Sequence, residues 1–237
     1  MQSYIACGDC LELMRDIPDG SVDMILCDLP YGTTRNKWDS VIPLDALWAE
    51  YERIIHPLGA IVLFAQFPFA AALCASNPKL FKYEWVWEKT VATGYLNARF
   101  APMKAHENIL VFSKGCAAQT RYVEKAMKYR PQYAEGKPYR TAVTDHGSKS
   151  YDKISKPSAS SSDGERFPRD VVKFNRETGL HPTQKPVPLC EYLIRTYTDK
   201  GDVVLDNCMG SGTTCVAAVR TGRKYIGIER ERVNTSI

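Results

Sequence analysis

Apolar residues along the chain fall into short runs punctuated by Gly, Pro, Asp and Asn, and the runs are of two kinds. Val22-Asp23-Met24-Ile25-Leu26-Cys27, Ala60-Ile61-Val62-Leu63-Phe64-Ala65 and Val203-Val204-Leu205-Asp206 are nearly continuous, as strands covered on both faces of a parallel sheet are. Tyr4 to Cys7, Tyr83 to Glu88, Asn108 to Phe112 and Lys224 to Ile228 are further strand candidates. Other stretches carry helical spacing. From Pro43 to Ile55 the residues Leu44, Leu47, Trp48, Tyr51 and Ile55 share one face, and its aromatics read as core. Pro57-Leu58-Gly59 is expected to end that helix before the next strand. Shorter helices are predicted from Leu11 to Met14, through Phe69 to Cys74, from Pro186 to Ile194 and through Cys215 to Val219. Strands alternating with helices predict an α/β chain with a mostly parallel, doubly wound sheet.

Two strand ends carry candidate chemistry. After the run ending at Cys27 stands Asp28-Leu29-Pro30-Tyr31-Gly32-Thr33-Thr34: an acid, a stiffened turn and an aromatic where open α/β sheets bind ligands. The Asp28 carboxylate and the Leu29 carbonyl can each accept an N–H, and Tyr31 can stack on a flat ring, a combination suited to an aromatic amine. A plain surface turn is the competing reading. After Asp206 comes Asn207-Cys208-Met209-Gly210-Ser211-Gly212-Thr213-Thr214, a Gly-rich turn opening a helix, which allows close backbone approach and favours an anionic group. The next strand ends at Glu229, 23 residues beyond Asp206. An acid there is the group expected to hold ribose hydroxyls, at close to the ~20-residue interval of dinucleotide sites.

In this order the segments resemble the β class of amino-methylating DNA methyltransferases. Asp28-Leu29-Pro30-Tyr31 is similar to that family's Asp-Pro-Pro-Tyr, and Asp206 to Thr214 to its Asp-Pro-Phe-x-Gly-Ser-Gly-Thr-Thr. His181-Pro182-Thr183-Gln184-Lys185-Pro186 matches the motif preceding the cofactor strand. The resemblance covers most of residues 1–115 and 181–229. It implies a Rossmann-like methyltransferase fold, circularly permuted because the first two strands of the sheet are written last, with an inserted target-recognition region. It implies S-adenosylmethionine as cofactor, and DNA as the partner whose base is flipped out for methylation. Asp28, Leu29, Pro30 and Tyr31 become the catalytic candidates. Asp9, Lys185, Asp206, Gly210, Ser211, Gly212, Thr213 and Glu229 become the cofactor-binding candidates, helix capping being the other reading of Asp9. Asp at the first motif position is the usual adenine-N6 form. Cytosine-N4 methylation stays open, as do the more distant readings of a protein-glutamine methyltransferase and a non-catalytic DNA-binding protein. Leu29 departs from the family's first Pro, and Asn207-Cys208 from its Pro-Phe; the latter is expected to weaken cofactor packing. His106-Glu107 also matches the family pattern and reads as structural.

Charge sharpens the division of the chain. Of 31 Lys and Arg and 27 Asp and Glu, residues 116–180 hold 13 and 8, leaving 18 and 19 for the rest. This segment also interleaves Tyr122, Tyr129, Tyr133, Tyr139 and Tyr151 with basic residues, as phosphate and base contacts require. A solvated, partly disordered insertion is what composition alone would predict. The expected organisation is therefore a catalytic half at 1–115, the recognition region at 116–180 and a cofactor-binding half at 181–237. The long Thr90 to Pro102 connection makes Lys89, Arg99 and Phe100 DNA-binding candidates, with a mobile surface loop as the alternative. No run approaches the ~20 apolar residues of a membrane span, and Met1 to Tyr4 leads into a strand rather than an export signal. The eight cysteines are scattered, and Cys7-x-x-Cys10 lacks a second pair, so no metal is expected. A cytoplasmic bacterial or phage enzyme follows, with monomer or homodimer, and a partner restriction enzyme, left open.

Overall fold

The computed structural model describes residues 2–32, 40–117, 123–141, 161–177 and 184–231. The first half runs β1 (Tyr4–Cys7), α1 (Cys10–Met14), β2 (Val22–Asp28), α2 (Leu44–Ile54), β3 (Ile55–Ala65), α3 (Phe69–Ser76), β4 (Phe81–Thr93) and β5 (Lys104–Phe112). Four two-residue strands follow: β6 (Ala134–Glu135), β7 (Tyr139–Arg140), β8 (Ser161–Ser162) and β9 (Glu165–Arg166). The chain continues through β10 (Val171–Phe174), α4 (Val187–Tyr197), β11 (Val203–Asp206), α5 (Thr213–Arg220) and β12 (Lys224–Glu229).

Eight strands form one sheet in the order β1-β12-β11-β2-β3-β5-β4-β10, and all pairings are parallel except the two made by β5. Alternation along β2 sends Ile25 and Cys27 into one core cluster, with residues of α1, α2 and α3. Met24 and Leu26 enter the other, with residues of α4 and α5. A strand buried on both faces cannot alternate apolar with polar, which is why these runs are continuous. β1 lies beside β12, with Tyr4 opposite Ile226 and Cys7 opposite Glu229, so the last strand written is neighbour to the first. This is the circular permutation that the motif order implies.

β2 pairs with β11 through Ile25 and Leu205. From β11 the chain crosses by α5 over one face of the sheet to β12; from β2 it crosses by α2 over the opposite face to β3. The carboxyl ends of β2 and β11 therefore flank a topological switch point, where such sheets leave a crevice for ligands.

Two expectations change. The segment expected as an insertion is trimmed at both ends. Only residues 131–169 separate as a second unit, while 116–130 and 170–177 belong with the sheet. β10 pairs with β4, Val171 opposite Val86, and its alternating half-exposure gave no buried run to mark it as a strand. At the edge of the second unit, the Arg130 N–H donates to the Thr196 carbonyl on α4 at 2.7 Å, and Val86 N–H on β4 donates to the Asp170 carbonyl at 2.7 Å. Within it, β6 pairs with β9 and β7 with β8, Tyr133 packs on Phe167 and the Arg166 guanidinium lies 4.7 Å from the Tyr139 ring centre. The second change concerns the stretch Thr90 to Pro102. The β4–β5 ladder runs up to Thr93 opposite Lys104, so this stretch is the end of a hairpin rather than an unpaired loop.

Candidate active site

β2 delivers Asp28 to the crevice half-exposed, and Pro30 turns the chain so that Tyr31 folds back over it. The Tyr31 hydroxyl donates to Asp28 Oδ1 at 2.6 Å, and the ring stacks on Phe69 with centres 5.2 Å apart. Tyr31 is thus only partly exposed: one ring face is taken by Phe69, leaving a single face for a flat ring. Burial, with the Asp28 charge adding to it, pushes the phenol well above its usual range, so it stays a donor. The Leu29 side chain is buried in the core below.

The other carboxylate oxygen, Asp28 Oδ2, accepts a hydrogen bond from Lys185 Nζ. Lys185 precedes α4, and its ammonium also lies 3.3 Å from Glu107 Oε2 and 5.1 Å from the Phe64 ring centre. Glu107 Oε1 in turn meets Lys89 Nζ at 2.5 Å, and that ammonium lies 5.3 Å from the Trp87 ring centre. Asp28, Lys185, Glu107 and Lys89 form a row of alternating charge whose inner members are almost wholly buried. Burial pulls Lys185 down, but Asp28 and Glu107 outweigh it and hold the amine above its ordinary value. Burial pushes Glu107 up, but Lys185 and Lys89 outweigh that and keep it low.

Across the switch point, Asp206 ends β11 buried, with Oδ1 accepting from Cys208 N–H at 3.1 Å. Burial pushes its pKa up to about 6, partly offset by hydrogen bonds from Thr214, Cys208 and Cys27. The turn that follows has Gly210 at φ 49° and Gly212 at φ 80°, left-handed values that favour glycine. A Cβ at Gly210 would meet nothing within 4 Å, so the backbone there is open to approach. α5 starts at Thr213 with no side-chain cap, which leaves its first N–H groups for an acceptor. Glu229, at the end of β12, accepts from Gly210 N–H at 2.8 Å through Oε2 and from Arg230 N–H at 2.8 Å through Oε1. Asp9 caps α1, its Oδ1 accepting from Leu11 and Glu12 N–H at 2.9 and 3.3 Å. Acids at three strand ends, an open glycine backbone and an uncapped helix start suit a ligand that carries hydroxyls, an amine and a carboxylate.

Residues 22–236 match the family model of the N6/N4 DNA methylases. The chain belongs to the DNA methylase family. This DNA methylase is 28% identical to the type II methyltransferase M.HinfI of Haemophilus influenzae, over 95% of its own length and 64% of the relative's. It thus spans just under two thirds of that protein. Among solved structures, it is similar to the PvuII DNA methyltransferase (cytosine-N4-specific), with TM-score 0.67, 16% identity and 98% and 83% of the two chains covered. It is also similar to a complex of M1.HpyAVI with S-adenosylmethionine, with TM-score 0.61, 24% identity and 97% and 94% covered. These likenesses establish the Rossmann-like fold of the methylase.

The methylase fold brings Asp28, Leu29, Pro30 and Tyr31 to one strand end, and Asp206, Gly210 to Thr213 and Glu229 to its neighbours. It separates the three DNA-binding candidates. Arg99 and Phe100 lie exposed at the hairpin tip, Phe100 at 90%, whereas Lys89 is buried against Glu107 at the hairpin's base. Lys185, grouped by the resemblance with the cofactor residues, stands on Asp28. His181 to Thr183, Thr33, Thr34, Tyr122 and Tyr151 lie outside the described residues. Sequence reasoning missed Glu107 and Phe69 as parts of the site. Glu107 had a signal, the His106-Glu107 match to the family pattern, which was read as structural; Phe69 had none. Among the described residues no helix is long and apolar enough to cross a membrane, and no cluster of three His, Cys, Asp or Glu side chains is arranged to hold a metal ion.

Proposed function

We propose that this DNA methylase transfers a methyl group from S-adenosylmethionine to the exocyclic N6 amine of adenine in DNA, with the base flipped out of the duplex. The observation that carries the reading is Asp28 at the switch point, braced by two donors and covered by a stacked aromatic, beside an open glycine turn. When bound, the cofactor would supply an electrophilic methyl on a sulfonium; the thioether would leave with the S–C electron pair and the amine proton would pass to solvent. The Gly210 to Thr213 backbone, Asp206, Glu229 and Asp9 would hold it. Asp28 accepts one N–H of the target amine and the Leu29 carbonyl accepts the other. These bonds draw the nitrogen lone pair out of conjugation and strengthen as positive charge develops, so they act on the transition state. Tyr31 stacks on the flipped base, worth about 1–3 kcal/mol.

Residues 131–169 and the hairpin tip are assigned to DNA. Between Lys89 and His106 the hairpin has no acidic residue, and its tip exposes Tyr95, Leu96, Arg99 and Phe100. Cations and unburied rings suit phosphates and unstacked bases. The preference for adenine rests on Asp at the head of the catalytic motif.

The test methylates mixed-sequence DNA and identifies the modified nucleoside by mass spectrometry. N6-methyladenine is expected, and N4-methylcytosine would move the reading to the cytosine class. Asp28→Ala should keep cofactor and DNA binding yet turn over at least ~100-fold more slowly. Glu229→Ala should mainly raise the cofactor dissociation constant, with partial rescue at high cofactor concentration. Tyr31→Phe keeps the ring but frees Asp28 Oδ1, and should cost on the order of tenfold, as loss of a charge-assisted hydrogen bond does. An Asp28→Ala enzyme with near-normal turnover would overturn the assignment.

A further inference from the structure

We propose that Lys185 is a positioning residue for the methyl acceptor: it holds Asp28 anionic and correctly turned, and it is itself held by Glu107. The proposal rests on Asp28 being the acceptor carboxylate. Lys185 carries three N–H donors. One goes to Asp28 Oδ2, and Glu107 Oε2 lies 3.3 Å away, while the Phe64 ring lies 5.1 Å from Nζ. Its surroundings among the described residues are those of a cation buried by two carboxylates and an aromatic face. Glu107 is fixed on its other side by Lys89 at 2.5 Å, so the row neutralises itself and its burial is tolerated. Glu107 Oε2 is a buried acceptor lacking a hydrogen bond of good geometry, and the nearby ammonium supplies the compensating charge.

The consequence falls on Asp28. Tyr31 on Oδ1 and Lys185 on Oδ2 fix the plane of the carboxylate, and each oxygen keeps a second lone pair for the target amine. A neighbouring cation favours the ionised form of a carboxylate, whereas nearby acids and other ionisable groups oppose it. Those other groups are Glu107 on β5, Asp206 on β11, the phenol of Tyr31, and the thiols of Cys27 on β2 and Cys190 on α4. Lys89 on β4 is the only other cation in the row, and Glu107 stands between it and Lys185. Among the described residues, removing Lys185 therefore leaves Asp28 without a cation to offset those groups.

The experiment measures kcat/KM against pH, together with calorimetric binding of S-adenosylmethionine. Lys185→Met should move the acid limb up by at least ~1 pH unit, as loss of a close opposite charge does, with cofactor affinity within about threefold of the parent. Lys185→Arg keeps the charge and should leave the limb within about 0.3 unit. Glu107→Gln removes the competing anion and should move the limb down by at least about half a unit. That variant decides the matter if Lys185→Met does not fold, because an unmoved or raised limb overturns the proposal. So does an unmoved limb in Lys185→Met, whatever its turnover. A cofactor affinity lowered tenfold or more with the limb unmoved would return Lys185 to the cofactor. Failure of the underlying reading looks different, since Asp28→Ala would then retain turnover.

Discussion

Asp28 and Asp206 end neighbouring strands, yet their surroundings differ. Asp28 is half-exposed and paired with Lys185, whereas Asp206 is buried and draws only hydrogen bonds, so burial pushes it up to about 6. A raised carboxyl pKa means the folded state binds the proton more tightly than the unfolded one. Its contribution to stability is fully present below the ordinary value of 3.8 and is lost as pH rises through about 6. Asp206→Asn should therefore stabilise the protein at pH 7, by up to about 3 kcal/mol, while weakening cofactor binding. In denaturant titrations the gap between variant and parent should widen as pH is raised towards about 6 and be flat well above it. A gap that narrows with rising pH would refute the argument. Asp28, Asp206 and Glu229 were legible in the sequence because each ends an apolar run, and a strand end is a local pattern. The partnership of Lys185 with Asp28 was not. It spans 157 residues and depends on where the entry to α4 meets the sheet, which no local spacing encodes.

The departure of Asn207-Cys208 from the family's Pro-Phe becomes intelligible at the level of elements. Asn207 is buried, and its Oδ1 accepts from the Tyr51 hydroxyl at 2.5 Å, tying the glycine-rich turn to α2. Whatever it does to cofactor packing, the substitution gives a buried phenol its acceptor. Asn207→Pro should cost about 1–3 kcal/mol by leaving that hydroxyl unpaired. Tyr51→Phe in the same chain should recover part of the loss, and a double-mutant cycle measures the coupling. Additive effects would mean the bond contributes nothing. Helix faces and buried strands were predicted well because burial imposes a period. The misread elements are those where pairing occurs without burial. Past Lys89 the β4–β5 ladder runs on into solvent, β10 is a half-exposed edge, and β3 already begins at Ile55, opposite Val22. Backbone hydrogen bonds define all three, and side-chain hydrophobicity carries little record of them. In β3, Gly59 is where the backbone passes too close for a side chain: a Cβ there would lie 2.6 Å from the Asp23 carbonyl oxygen.

Across the whole molecule, the written order of the strands matters less than their neighbours. β1 and β12 are parallel neighbours, so a linker from the end of β12 to the start of β1 must cross back along the sheet and needs about a dozen residues. A permuted chain joined there and opened at the exposed turn around Asp163 should fold and bind S-adenosylmethionine like the parent. Loss of cooperative unfolding in that chain would count against the permutation. The two anchors that bound residues 131–169 have a further meaning. Arg130 is tied to α4 and Asp170 to β4, and those elements are themselves joined by the Trp85 indole donating to the Tyr197 hydroxyl at 2.6 Å. The 39 residues between leave and re-enter the sheet domain at a clamp that owes nothing to their own sequence. On the proposed reading, in which these residues meet DNA, they are a cassette to selection: they can diverge or be exchanged between lineages while the catalyst is inherited unchanged, so new specificities need no new chemistry.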